Sequence, residues 1–291
     1  MRRRGSVPGR QRYENGDSHH VFSAMSPWAA LRAVVIFVYV FMLGPILITA
    51  AVSFNASNRS QFPPRGFSPQ WWQRAFSAEW VEPLVFSFKL AALAALISTA
   101  LALPLAFGLS RHRFPGRAAI AALTLGPLML PALVTGVGLL QLFQYVGLRD
   151  YLGFSALLIG HVVICVPFAV RTIAISLQTL PPSVELAAAS LGASRLATLR
   201  HVVLPLIKTG IVAGAVFAFV HSFTDVNLSL FLVRPGEQPI TVKILGFLEY
   251  GFAPTLAAVS VITLALPLVL VAIVERVSGL GDFIYASRSR G

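Results

Sequence analysis

The sequence predicts an all-α integral membrane protein of six transmembrane helices, with one cytoplasmic loop that is itself built from short helices. Three observations carry that expectation. Hydrophobic residues make up 56% of the 291-residue chain and charged residues only 12%, about half the charged share of ordinary soluble domains. The apolar residues gather into six separate runs, each long enough at about 1.5 Å per residue to cross a hydrocarbon core about 30 Å thick. Lys and Arg fall unevenly on the segments between those runs, as they do when positive charge is retained on the cytoplasmic side. The formal net charge of +12 is therefore read through topology and not as a nucleic-acid signature, and the partner it implies is the lipid bilayer.

Residues 1–27 are polar, with Arg2, Arg3, Arg4, Arg10 and Arg12 against Glu14 and Asp17. They predict a disordered cytoplasmic tail, in which His19 and His20 read as incidental and not as metal ligands. The first apolar run, 31–54, has 24 residues, more than the roughly 7–15 of a secretory signal core, so it predicts an uncleaved span. Residues 55–82 form a polar loop whose Trp71, Trp72 and Trp80 read as anchors at the membrane interface, with contact to a binding protein as the alternative. The other spans are expected at 83–110, 118–143, 151–177, 209–233 and 255–274, within a transmembrane domain covering 28–280 and followed by a cytoplasmic tail over 281–291. Pro104, Pro131, Pro167 and Pro267 are expected to bend spans without ending them, since buried neighbours satisfy the freed carbonyls.

Six spans put both termini on one side. With the N-terminus inside, Arg59, Arg65, Arg74, Arg149, Arg234 and Lys243 fall outside and Lys89 falls within a span, which leaves sixteen of the 23 Lys and Arg inside. Both termini are thus expected in the cytoplasm. The single cysteine, Cys165, lies within an apolar run, which leaves no internal disulfide and no cysteine metal site.

The polar interval Gln178–Lys208 then faces the cytoplasm. Ser183 is placed to cap a helix starting at Val184, with Glu185 in the first turn where negative charge suits the macrodipole. Val184, Ala187, Ala188 and Leu191 fall at i, i+3, i+4 and i+7 and make a narrow apolar face of mostly small side chains. Gly192 ends that helix, as glycine does in the left-handed conformation. Ser194 caps a second helix, with Leu196, Leu199, Val203 and Leu206 as its stripe beside Arg195, Arg200 and His201. The pattern fits a docking element, whose small residues permit close approach, and equally a hairpin covering the span ends.

The run ELAAASLGASRLATLRHVVLPLIKTGI resembles the EAA loop of permease subunits in bacterial binding-protein-dependent ABC importers, whose pattern is EAA, three residues, G, nine residues, I, two residues, LP. Ala187 and Ala188 match the alanines, Gly192 the glycine, and Leu204 with Pro205 the terminal pair; Val202 stands near the aliphatic position. Leu186 occupies the place of the motif glutamate, with Glu185 one residue earlier. The resemblance implies the type I ABC importer permease fold. It also implies that Glu185, Leu186, Ala187, Ala188, Gly192, Leu204 and Pro205 belong to a coupling segment seated on a cytoplasmic ATPase. The partners so implied are two ATPase subunits, a second permease subunit in a heterodimer and an extracytoplasmic solute-binding protein, at the inner membrane of a bacterial cell. The chain contains no GxxxxGK[ST] phosphate loop. ATP and Mg are accordingly expected on the partner ATPase, with no cofactor and no catalysis in this chain. FSPQWWQRAF, SRHRFPGR and GFAPTLAAVSVI look most like the second permease of spermidine/putrescine-type importers, and relatives for other polyamines, aminoethylphosphonate, opines or ferric iron share these stretches.

An ionisable group within a span is a functional hypothesis by default. Asp225, followed by Asn227, is placed to attract a cationic amine, and Glu249 adds a second negative site toward the outside. The alternative for Asp225 is a structural pairing with His221, one turn earlier, or with Lys89. His161 is a further pathway candidate, whose alternative is a hydrogen bond to a backbone carbonyl. Gln141 and Gln144 line a polar path or bond between helices. Two other function classes compete. An intramembrane hydrolase needs a nucleophile facing a base, and the adjacent Ser222 and His221 point about 100° apart on a helix. A stand-alone secondary transporter is expected to show paired broken spans, of which the sequence gives no sign.

Overall fold

The computed structural model describes residues 27–249 and 251–278. The basic tail expected over 1–27, save its last residue, and the C-terminal tail expected over 281–291 lie outside them. Helix α1 (Pro27–Val52) carries Trp28, Ile36, Phe37, Phe41 and Met42 around its circumference without a polar face, the pattern of a membrane-spanning helix.

From residue 46 onward the described residues are mainly helical, with no strand among them. After a loop come the short α2 (Gln70–Ala75) and the long α3 (Ala78–Arg111), then α4 (Arg117–Met129), α5 (Ala132–Tyr145) and α6 (Phe154–Thr179). The polar interval forms α7 (Pro182–Ser190), α8 (Arg195–Thr198), a π-helical stretch Leu199–Val203 and α9 (Leu204–Leu206). It continues into α10 (Lys208–Thr224), the short α11 (Ser229–Leu232), α12 (Ile240–Leu248) and α13 (Pro254–Ser278). Among the described residues four helices are long and apolar enough to cross a membrane, and six spans result if each of two bent helix pairs crosses as one.

The bent pairs differ from the expectation of continuous spans. Pro104, Pro167 and Pro267 do lie inside helices. Pro131 instead separates α4 from α5, whose axes turn by 108°. Its ring drives the preceding residue out of the helical region. Leu130 accordingly has extended backbone, with φ -94° and ψ 137°. The second pair, Arg195–Leu206 and α10, bends by 68°. The fifth apolar run is also interrupted: α10 stops at Thr224, and Asp225 is extended with φ -66° and ψ 137°.

Helices α3, α6 and α10 pack side by side as the centre of the bundle. Toward the start of α10 the contact with α6 is made of small residues, because larger ones do not fit at Gly210 and Gly214. A Cβ on Gly210 would lie 2.0 Å from Ser176 Oγ and 2.5 Å from Ser176 Cβ, and one on Gly214 would lie 2.6 Å from Thr172 Oγ1. Close backbone approach of this kind supplies dispersion contact where lipid offers no hydrophobic drive for association. Two apolar clusters follow along the bundle. One gathers Trp71, Trp80, Leu90, Leu157, Phe223 and Leu256. The other, at the far end of α3, gathers Ala102, Ala106, Ile173, Leu177, Val203 and Ile207. Trp71 and Trp80, expected at the interface, are therefore core residues, and Trp71 Nε1 donates to Asn55 O at 2.6 Å.

Candidate coupling loop and helix break

Leu180 and Ile207 bracket the loop, both buried in the second cluster. Helix α7 starts earlier than expected. Pro182 takes the first helical position, where its missing N–H costs nothing, so Ser183 lies inside the helix and makes no cap. The C-terminus closes as a Schellman motif: Ala193 N–H donates to Ala188 O at 3.1 Å and Gly192 N–H to Ala189 O at 2.9 Å. Gly192 has φ +84° there. Ser194 caps the next helix by accepting from Ala197 N at 3.3 Å.

The apolar stripes expected on the two short helices are each split between inside and outside. On α7, Val184 packs against the second cluster, whereas Leu191 is 89% exposed. Leu186, at the place of the motif glutamate, is 67% exposed. Glu185 turns inward, with its Oε1 2.9 Å from Arg111 Nε. On the second helix the buried residues are Thr198, Val203 and Ile207, while Leu196 is 73% exposed and Leu206 is also exposed. The π-helical stretch is the cause, since its wider turn brings Thr198 and Val203, five apart, onto one side. The helical period expected for Leu196, Leu199, Val203 and Leu206 does not apply across it. Ala187 is exposed and Ala188 half-buried, Leu204 packs partly on the second cluster, and Pro205 is exposed.

The second group of candidates sits where α10 breaks. Asp225 is 8% exposed, and its Oδ2 accepts from Ser229 N at 3.1 Å and from Ser229 Oγ at 3.0 Å. His161, fully buried on α6, lies between two hydroxyls, with Nδ1 2.7 Å from Ser222 Oγ and Nε2 2.9 Å from Ser229 Oγ. The single hydroxyl proton of Ser229 goes to Asp225, so its oxygen accepts from His161 Nε2–H, and in the neutral imidazole Nδ1 then accepts from Ser222. The result is a directed chain, Ser222 to His161 to Ser229 to Asp225, that ties α6 to both sides of the break. His161 Nε2 lies 3.9 Å from the Asp225 carboxylate, and Thr241 Oγ1 on α12 donates to Asp225 O at 2.7 Å. The partners expected for Asp225 are not the ones found. His221 packs on Phe168, with ring centroids 4.6 Å apart, and Lys89 is exposed on α3. His161 bonds to side chains and not to a carbonyl. Asn227, Glu249, Gln141 and Gln144 are exposed.

Ser222 thus does meet a histidine, but it is His161 on another helix. Both are buried in the core, which gives a nucleophile no access to substrate. Sequence reasoning missed Ser222 and Ser229 as partners of His161 and missed Arg111 as partner of Glu185. His161 lies 61 and 68 positions from its two serines, and Arg111 is on a different helix from Glu185. Contacts so distant in sequence leave no periodic signal.

Comparison with known proteins places this geometry in a family. Residues 98–279 match the family described as binding-protein-dependent transport system inner membrane component. A spermidine/putrescine transport system permease protein of Haemophilus influenzae, PotC, is 31% identical over 255 residues, covering 87% of this chain and 98% of the relative. The putrescine transport system permease protein PotI of Escherichia coli K12 is 29% identical over 248 residues, covering 82% of this chain and 86% of the relative. Among solved structures, a bacterial ABC transporter involved in the import of the polysaccharide alginate superposes with TM-score 0.69 at 16% identity, over 86% of this chain and 94% of that one. The MetNI methionine ABC transporter gives 0.55 at 20% identity, over 73% of this chain and 99% of that one. With the EAA-type loop folded as two short helices and the family match running from mid α3 through α13, the chain belongs to the inner-membrane permease components of binding-protein-dependent transport systems.

Proposed function

We propose that this chain is one of two permease subunits of a polyamine-type ABC importer and that α7 and α8 dock on a cytoplasmic ATPase. The observation that carries the docking reading is the two-sided loop. Its inner side is fastened by Val184, Val203, Ile207 and the Arg111–Glu185 pair, while Leu186, Leu191 and Leu196 face outward. Three outward leucines on short helices are an apolar surface of the kind a partner covers. The distribution of Lys and Arg supports a cytoplasmic position for this loop and for both termini. Spermidine or putrescine as cargo rests on the relatives PotC and PotI. A binding protein delivers the solute outside, and ATP binding and hydrolysis on the partner ATPase switch the path, with ATP and Mg held there.

In this reading the buried Ser222–His161–Ser229–Asp225 chain fixes the helix break, and the exposed Asn227 and Glu249 meet the solute. The test is reconstitution of the two permeases with ATPase and binding protein in proteoliposomes containing ATP. Uptake of labelled spermidine or putrescine is expected only with all components, and Leu191→Glu is expected to release the ATPase during purification. Uptake by this chain alone, or unchanged retention of the ATPase by Leu191→Glu, would sink the assignment.

A further inference from the structure

We infer that Arg111 is the residue through which movement of α7 is transmitted to the membrane helices. The inference rests on the reading of α7 as the docking helix and adds to it the fastening on the bundle side. Arg111 is the last residue of α3. Its Nη2 donates to Leu180 O, the carbonyl that closes α6, at 2.8 Å. Its Nε lies 2.9 Å from Glu185 Oε1 in the first turn of α7. One guanidinium thereby holds the ends of two spanning helices and the start of the loop helix at once.

The physical chemistry favours this arrangement over a chance surface pair. The two side chains are 15% and 26% exposed. Solvent and salt therefore screen them only in part. The Nε–Oε1 contact does not have hydrogen-bond alignment, so charge and not direction binds the pair. A positive group at the C-terminus of α3 and a negative group at the N-terminus of α7 each also suit the adjoining helix dipole. Arginine suits the double duty, because one nitrogen donates to the Leu180 carbonyl while the charge spread over the rest of the guanidinium attracts the Glu185 carboxylate, whereas the lysine ammonium is a point charge.

Besides this ion pair, α7 is joined to the bundle by apolar contact at Val184, by packing against the π-helical stretch and by the chain at both its ends. Glu185 and Leu186 are neighbours in sequence and lie about 100° apart around the helix. Leu186 is thus turned toward the docking side while Glu185 is turned toward Arg111. Among these attachments Arg111 is the one that passes a push on α7 to the ends of both α3 and α6.

The experiment uses the complete transporter, with both permeases, ATPase and binding protein, in proteoliposomes. It measures solute taken up per ATP hydrolysed, for Arg111→Gln, Glu185→Gln and the double variant. This ratio is expected to fall at least about five-fold in Arg111→Gln, with the double variant no worse than the worse single one, because the two residues act as one unit. Arg111→Lys, which keeps the charge and loses the fork, is expected to fall between. A wild-type ratio in Arg111→Gln overturns the proposal. So does a proportional fall of uptake and hydrolysis that leaves the ratio unchanged, and so does a double variant whose loss is the product of the single losses. If Arg111→Gln does not assemble, the same ratio is read on Glu185→Gln and on Arg111→Lys with the same outcomes deciding. Leu191→Glu separates this from the reading beneath it: retention of the ATPase by that variant defeats docking by α7, while its release together with a wild-type ratio in Arg111→Gln defeats only the clamp.

Discussion

Placing a methyl group on Gly210 tests whether the bundle depends on close contact between α6 and α10. The added Cβ would meet Ser176 Oγ at 2.0 Å and Ser176 Cβ at 2.5 Å, with Thr172 O at 3.2 Å. Rotation of the serine relieves the first contact, but Cβ is fixed to the backbone and cannot turn away. Carbon atoms rest at about 3.5–4.0 Å, so the helices must separate locally by about 1 Å or more. Overpacking on that scale costs about 1–3 kcal/mol, offset by up to about 1 kcal/mol from the better helix propensity of alanine. Gly108→Ala is the control, since it lies within α3 with nothing inside 4 Å of its added Cβ and gains the propensity alone. Gly210→Ala is therefore expected to melt below Gly108→Ala. At about 2–4 °C per kcal/mol for a chain of this size, the gap is several degrees, read as loss of the monodisperse peak after heating in detergent. Ser176→Gly combined with Gly210→Ala should recover most of it. Equal midpoints for the two alanine variants, or no recovery in the double variant, would refute the packing argument.

Other expectations follow from the loop and the break. Gly192→Val forces a side chain to φ +84° with no neighbour to clash with. The cost is about 1–2 kcal/mol confined to the turn; membrane insertion should persist while stimulation of the ATPase is lost, and wild-type stimulation would remove Gly192 from the coupling role. Asp225→Asn keeps an acceptor for Ser229, so its thermal midpoint should stay near wild type, whereas Asp225→Ala leaves buried Ser229 donors unmade at about 1–3 kcal/mol. A fall in uptake at limiting solute for Asp225→Asn, without a change in midpoint, would instead place the carboxylate in the path. Trp71→Phe removes the bond to Asn55 O, worth about 1 kcal/mol, and should make the loop over 55–69 more sensitive to protease; unchanged digestion would show that the indole N–H does not hold that loop.

Hydropathy, charge bias and the EAA-like pattern were enough to read a helical membrane permease, because hydrophobic length and positive-charge asymmetry respond to the bilayer and not to neighbouring residues. The Schellman turn at Gly192 and the cap at Ser194 were legible for a similar reason, since both are satisfied within a few residues. Ser183 misled because Pro182 next to it is the stronger local signal for a helix start. The break at Asp225 was not legible, because TDVN lies in a run whose average hydropathy still reads as a span.

What the sequence by itself determined is thus the class of protein, where in the chain the loop lies and the turns inside it, all set by interactions of short range or with the solvent. Only the tertiary structure decided that Leu186 faces out while Glu185 meets Arg111, that Trp71 and Trp80 are core, and that His161 links Ser222 to Ser229 and Asp225. Those outcomes depend on which helices lie side by side. That is settled by packing of small residues such as Gly210 and Gly214 between helices, a complementarity of shape that no one-dimensional period records.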